Sequence, residues 1–127
     1  MSSKAVIEKF NKIMFNMLSH IEKWYPNTDE IKEMNCLAKL FLNKSYKSLI
    51  ENFYSFVYTK YKSQILSKDY KYFAEMNYNG IPEKYVNKFL IPLKKLYLES
   101  SDKQKDIIFN YIINLVRCCE IYKKLDS

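Results

Sequence analysis

Apolar residues recur along this chain at intervals of three and four, the spacing of one face of an α-helix. Val6, Phe10, Ile13, Met14, Met17, Ile21 and Trp24 make a stripe from about Lys4 to Tyr25, and Pro26-Asn27 stops it. Thr28 offers an N-cap oxygen, with Asp29 and Glu30 in the first turn, where the helix dipole favours negative charge. A second helix then runs to about Leu42 on Ile31, Met34, Leu37, Ala38 and Phe41. Asn43-Lys44-Ser45 breaks it, and Ser45 can cap a third helix carrying Leu49, Ile50, Phe53, Phe56 and Val57.

The middle of the chain is less regular. Tyr58 to Leu66 either extends the third helix or forms a separate turn packed through Tyr61 and Ile65. Lys68-Asp69 reads as another cap, ahead of a short segment around Tyr72, Phe73 and Met76. Asn79-Gly80 is a turn dipeptide, but its flanks do not alternate, so no hairpin is expected. Pro82 suits the first turn of a helix through Tyr85, Val86, Phe89, Leu90, Leu93, Leu96 and Tyr97. Pro92 falls inside that pattern and should kink or split it. Ser100-Ser101-Asp102 caps a last, long helix with Ile108, Ile112, Leu115, Cys119 and Tyr122 on one face. The expected fold is all-α: a compact, single-domain bundle of five to seven helices with short connections, spanning residues 1–127.

Composition narrows the chemistry. A single glycine, Gly80, is too few for Gly-rich phosphate loops or a nucleophile elbow. One histidine, and three cysteines without a C-x-x-C pair, do not make a zinc ribbon or a redox motif. No cofactor or metal is therefore expected. Lys, Ile, Tyr, Asn, Phe and Met supply 69 of the 127 residues, while Gly, Ala, Arg and Pro together supply eight. The first group has A/T-rich codons and the second G/C-rich ones, which points to an A/T-rich genome. That changes how the net charge of +7 is read: it can attract nucleic acid, or it can be surface polarity written in lysine. Arg117 is the sole arginine, although arginine is the favoured residue for phosphate and base-edge contacts. No signal-peptide core or uninterrupted apolar span stands out, so neither secretion nor a membrane partner is expected. Cys36, Cys118 and Cys119 are expected to be reduced and mostly buried.

Three stretches carry a resemblance: Phe10-Asn-Lys-Ile-Met-Phe followed by Trp24-Tyr-Pro; Ile50-Glu-Asn-Phe53 followed by Tyr61-Lys-Ser-Gln-Ile65 and Lys68-Asp69-Tyr-Lys-Tyr-Phe73; and Ser101 to Leu115. In these the chain resembles small, uncharacterised helical proteins of large nucleocytoplasmic DNA viruses, the giant-virus lineages. The likeness spans most of the chain, departing at Phe109, where a Trp is expected. Its matching residues pack and cap. The resemblance implies a viral origin and an all-α fold, and it carries no catalytic residue; with the reduced cysteines and no signal-peptide core, the expected location is the host cytoplasm (the viral factory) or the virion.

The sharpest local feature is Tyr46 to Tyr78, where seven tyrosines and three phenylalanines interleave with Lys47, Lys60, Lys62, Lys68 and Lys71. Rings beside cations are what single-stranded nucleic acid uses, through stacking and phosphate contacts. Tyr54, Tyr58 and Tyr61 could form one exposed ladder, making Tyr54, Tyr58, Lys60, Tyr61, Lys62, Lys68 and Lys71 the candidate surface. The competing reading puts Phe53, Phe56, Val57 and Tyr61 in the core and leaves the lysines simply solvated. Elsewhere, His20 has no orienting partner visible in sequence. Asp69 and Glu75 stand six apart on different helix faces. Cys118-Cys119 lack further ligands at metal spacing.

The expected function is that of a non-enzymatic viral structural or interaction protein, acting through helix surfaces on a protein partner or as a homo-oligomer. Twelve tyrosines motivate it, more than one core should bury with every hydroxyl satisfied. The alternatives are a nucleic-acid-binding module using the Lys/Tyr-rich surface, and a helical host-defence antagonist of the Bcl-2-like, groove-binding kind.

Overall fold

The first helix starts where a side chain can satisfy its orphan amides. In the computed structural model, Ser2 Oγ accepts the Ala5 N–H at 3.1 Å, and α1 runs over Ser3–Trp24. The structure describes residues 2–75 and 77–126, without the side chains of residues 72–74 and 126. The expected segment around Tyr72, Phe73 and Met76 thus falls largely outside the described residues. The stripe of α1 buries Val6, Ile7, Phe10, Met14, Met17, Leu18 and Ile21.

Asn27, at φ 64, turns the chain, and Thr28 Oγ1 accepts the Ile31 N–H at 3.3 Å to start α2, Asp29–Lys44. Ser45 does not cap the next helix directly. Its Oγ accepts the Lys47 N–H at 3.2 Å in a local turn, and α3, Ser48–Phe53, begins without a side-chain cap. From there the backbone stays helical to Leu66: a π-helical turn, Tyr54–Tyr58, leads straight into α4, Thr59–Leu66. The third helix is therefore extended rather than interrupted. The widened turn has a local cause. Thr59 Oγ1 donates to the Ser55 carbonyl at 2.8 Å, and the Thr59 N–H goes one residue further back, to Tyr54 O.

The π turn also solves a phase problem. Leu49, Phe53, Val57, Tyr61 and Ile65 are all buried, at a strict spacing of four. On a pure α-helix of 3.6 residues per turn such a row drifts by about 40° per step and leaves the core within a few turns. A wider turn in the middle rotates the row back. The same device recurs after α5, Tyr70–Glu75, and α6, Glu83–Tyr85. There a second π turn, Val86–Leu90, joins α7, Ile91–Glu99, and Tyr85, Phe89, Leu93 and Tyr97 are the buried row of four. Pro92 lies in the first turn of α7, and the Ile91 N–H reaches back five residues to Val86 O. The expected split at Pro92 is met by this widened turn, in which the missing proline N–H is absorbed.

Lys68 and Asp69 close α4. Lys68 sits at φ 58, its N–H bonds Ile65 O at 3.1 Å, and the Asp69 N–H bonds Gln64 O at 2.9 Å, a Schellman ending with lysine in the usual glycine place. Gly80, at φ 80, does supply the turn before Pro82, and no strand occurs among the described residues. Pro82 stands just outside α6, at its N-cap. The last helix, α8, Asp102–Asp126, opens with a reciprocal capping box: Gln104 N–H to Ser101 Oγ at 3.2 Å, and Ser101 N–H to Gln104 Oε1 at 2.9 Å.

The pairing of α1 with α8 is the most extensive in the bundle. Around it α2 packs on α1 and on the 83–99 rod, α3 on α1 and α2, and α4 and α7 on α8, enclosing one contiguous core. The result is an all-α bundle.

Candidate binding surface

The tyrosine ladder is not exposed. Tyr58 and Tyr61 are each 4% exposed, and Tyr54 is half-buried with its ring stacked on Tyr58 at 5.0 Å. Tyr61 donates its hydroxyl to the Asn77 carbonyl, pinning α4 to the turn before α6. This corrects the stacking-ladder expectation, and the reason is the π turn, which rotates Tyr58 and Tyr61 inward together. The lysines do not gather either. Lys60 lies over Gly80, its Nζ 3.3 Å from where a β-carbon would stand. Lys62 caps the Tyr58 ring from 5.2 Å. Lys68 occupies the left-handed turn, and Lys71 lines a separate hollow of about 430 Å³ with Tyr70, Tyr97, Leu98 and Lys105.

The tyrosine excess is mostly absorbed by the fold. Tyr58, Tyr61, Tyr85, Tyr97 and Tyr122 are buried, and Tyr25, Tyr54, Tyr78 and Tyr111 pack half-buried against the core. Tyr25 and Ser100 hydroxyls meet at 2.9 Å. Burial raises the phenols of Tyr78, Tyr85 and Tyr111, and that of Tyr97 to about 12, so all four stay protonated as hydrogen-bonding or apolar groups. Among the described tyrosine side chains only Tyr46 and Tyr70 are exposed. A core with two π turns takes up more aromatic rings than the composition alone suggests.

His20 does have a partner that sequence could not show. Its Nδ1 hydrogen-bonds the Tyr111 hydroxyl, from 91 residues away, and its ring stacks on Trp24 at 5.8 Å. Asn16, Ser19 and Lys23 flank this pair in a shallow hollow of about 270 Å³. The pair bridges α1 and α8 near the surface, with no carboxylate lining the hollow. Cys118 and Cys119 are buried as expected, and burial pushes both thiols up. Cys36 is exposed, which corrects the expectation that it is buried. The α2 face at Cys36 is uncovered because α2 meets the 83–99 rod along a neighbouring stripe.

That uncovered face forms part of a surface hollow. Between α2 and the start of the 83–99 rod runs a groove of about 230 Å³, floored by Cys36, Leu37 and Leu40. Its rim carries Lys32 and Glu33 on one wall and Lys84 and Lys88 on the other. Glu33 lies 3.7 Å from Lys88. Further along the same seam Lys95 is paired with Glu30, whose carboxyl is held below its ordinary value by that hydrogen bond. Tyr85, next to Lys84 in the chain, packs against Phe41, Phe56 and Phe89 with ring centroids 6.1, 5.1 and 5.3 Å away. Sequence reading treated Leu37 as core and gave Leu40 and Lys84 no role; only the contact between α2 and the 83–99 rod brings them together.

Among the described residues no three His, Cys, Asp or Glu side chains come together as a metal-ligand set, and no helix is long and apolar enough to cross a membrane. No protein-family model matches this chain, and neither a curated protein nor a solved structure matches it.

Proposed function

We propose that the protein is a non-enzymatic interaction module of viral origin, working through its helix surfaces on a protein partner in the host cytoplasm or the virion. The observation that supports this reading is the groove between α2 and the 83–99 rod, an apolar floor with lysines around it. An exposed leucine, Leu40, beside the exposed Cys36 and ringed by charge suits a protein partner. Single-stranded nucleic acid needs accessible rings along a basic track. Here Tyr58 and Tyr61 are inside, and Lys60, Lys62, Lys68 and Lys71 serve four separate local environments. A groove between two helices is also what a groove-binding host-defence antagonist requires, and that reading uses the same surface.

Filter binding of single-stranded oligothymidylate separates the readings. The expected result is weak retention that vanishes between about 50 and about 200 mM salt, as purely electrostatic contacts do. Lys60→Glu with Lys62→Glu should lower it no more than any other loss of charge. Retention that survives the higher salt and is abolished by that pair would replace this reading with a nucleic-acid module.

A further inference from the structure

The geometry points to a specific occupant for the groove: an acidic peptide segment of a partner protein, anchored by one apolar side chain. This rests on the interaction-module reading and names the chemistry of the partner. Charge complementarity carries it. Lys88 and Lys95 already face Glu33 and Glu30, whereas Lys32 and Lys84, on opposite walls of the groove, have no carboxylate partner among the described residues. Three lysines and one glutamate line the rim, so an incoming segment with carboxylates on both sides of its anchor balances the two open cations.

The floor sets the anchor. Leu40, in that floor, is 43% exposed. A volume of about 230 Å³ is smaller than the roughly 300–1,000 Å³ typical of small-molecule and cofactor sites, but it receives a single aliphatic or aromatic side chain. Phe41, next to Leu40 in the chain, packs ring to ring on Tyr85, next to Lys84, which ties the two walls together and limits the ordering cost of binding. A bare polyanion would satisfy the lysines and leave Leu40 uncovered.

Panning a random dodecapeptide phage library on the full-length chain tests this, followed by fluorescence polarisation of the most enriched synthetic peptide. Enriched peptides should place Asp or Glu on both sides of a Leu, Ile, Met or Phe. Leu40→Glu and Lys84→Glu, both at exposed positions and checked by circular dichroism, should each weaken the peptide about tenfold or more. Bound peptide should slow alkylation of Cys36 by iodoacetamide several-fold, since that thiol lies in the floor. Peptides without acidic bias, or peptides insensitive to both substitutions that leave Cys36 equally reactive, overturn the groove proposal while leaving the interaction-module reading intact. A dimer that forms without peptide and is lost in Leu40→Glu assigns the groove to a second copy and also overturns it. No enrichment at all, together with salt-resistant oligothymidylate binding, overturns both readings.

Discussion

Replacing Tyr61 by alanine distinguishes a core residue from a surface stacking residue through stability alone. Tyr61 is 4% exposed, fourth in the row Leu49, Phe53, Val57, Tyr61 and Ile65, and its hydroxyl is donated to the Asn77 carbonyl. An aromatic side chain buries about 150–250 Å², which at about 25 cal/mol per Å² corresponds to roughly 4–6 kcal/mol of transfer free energy. Allowing for relaxation around the hole, buried aromatic-to-alanine changes cost about 3–5 kcal/mol. Removing the hydroxyl alone, in Tyr61→Phe, should cost about 1 kcal/mol, with the Asn77 carbonyl open to solvent on its exposed side. For a chain of 127 residues, an unfolding entropy of about 2.1 cal/mol/K per residue makes a 4 kcal/mol loss a fall in Tm of roughly 15 °C. Guanidinium titration followed by far-UV circular dichroism measures all three proteins, with Lys60→Ala as an exposed neighbour expected to stay within about 0.5 kcal/mol. If Tyr61→Ala also stays within about 0.5 kcal/mol of the wild type, Tyr61 is not in the core and the π-turn argument fails.

Three further outcomes follow from the same geometry. Lys68→Gly should stabilise the chain by about 0.5–1 kcal/mol, because φ 58 costs an L-residue about 1–2 kcal/mol and glycine returns part of that as chain entropy; an unchanged midpoint in urea would refute the Schellman ending. Ser101→Ala should lose about 1 kcal/mol by opening the capping box of α8, with Gln104→Ala losing less, both read from thermal melts. For Glu30, the Lys95 ammonium depresses the folded carboxyl below its ordinary 4.5, so its contribution is present above that pH and disappears as the pH falls through the depressed value. Glu30→Gln should therefore be less stable than wild type near neutrality and converge with it in acid. The same pair holds Lys95 above its ordinary 10.5, so the difference should also fade as alkaline pH deprotonates the ammonium, and a gap constant from acid to alkali would count against the pairing.

Most of the helices were legible in sequence because each carries its own local signals. Ser101 with Gln104, Thr28 with Asp29 and Glu30, and the 3.6-period stripe of α1 act within a few residues and do not depend on the rest of the fold. The candidate surface was misread for a reason also written in the chain. Leu49-Phe53-Val57-Tyr61-Ile65 and Tyr85-Phe89-Leu93-Tyr97 keep a spacing of four, which a period of 3.6 splits between two faces. As the sign of an inserted π turn, that spacing places Tyr61 inside with the rest of its row.

What sequence alone determined is the helical bundle, the caps at Thr28 and Ser101 and most of its core, since amphipathic period and capping chemistry are short-range. Tertiary structure decided three other things. It matched His20 to Tyr111 across 91 residues, it turned the tyrosines inward, and it set Lys84 opposite Lys32 over Leu40. Each depends on how two distant helices are seated against one another, a packing outcome of the whole core that no local pattern encodes.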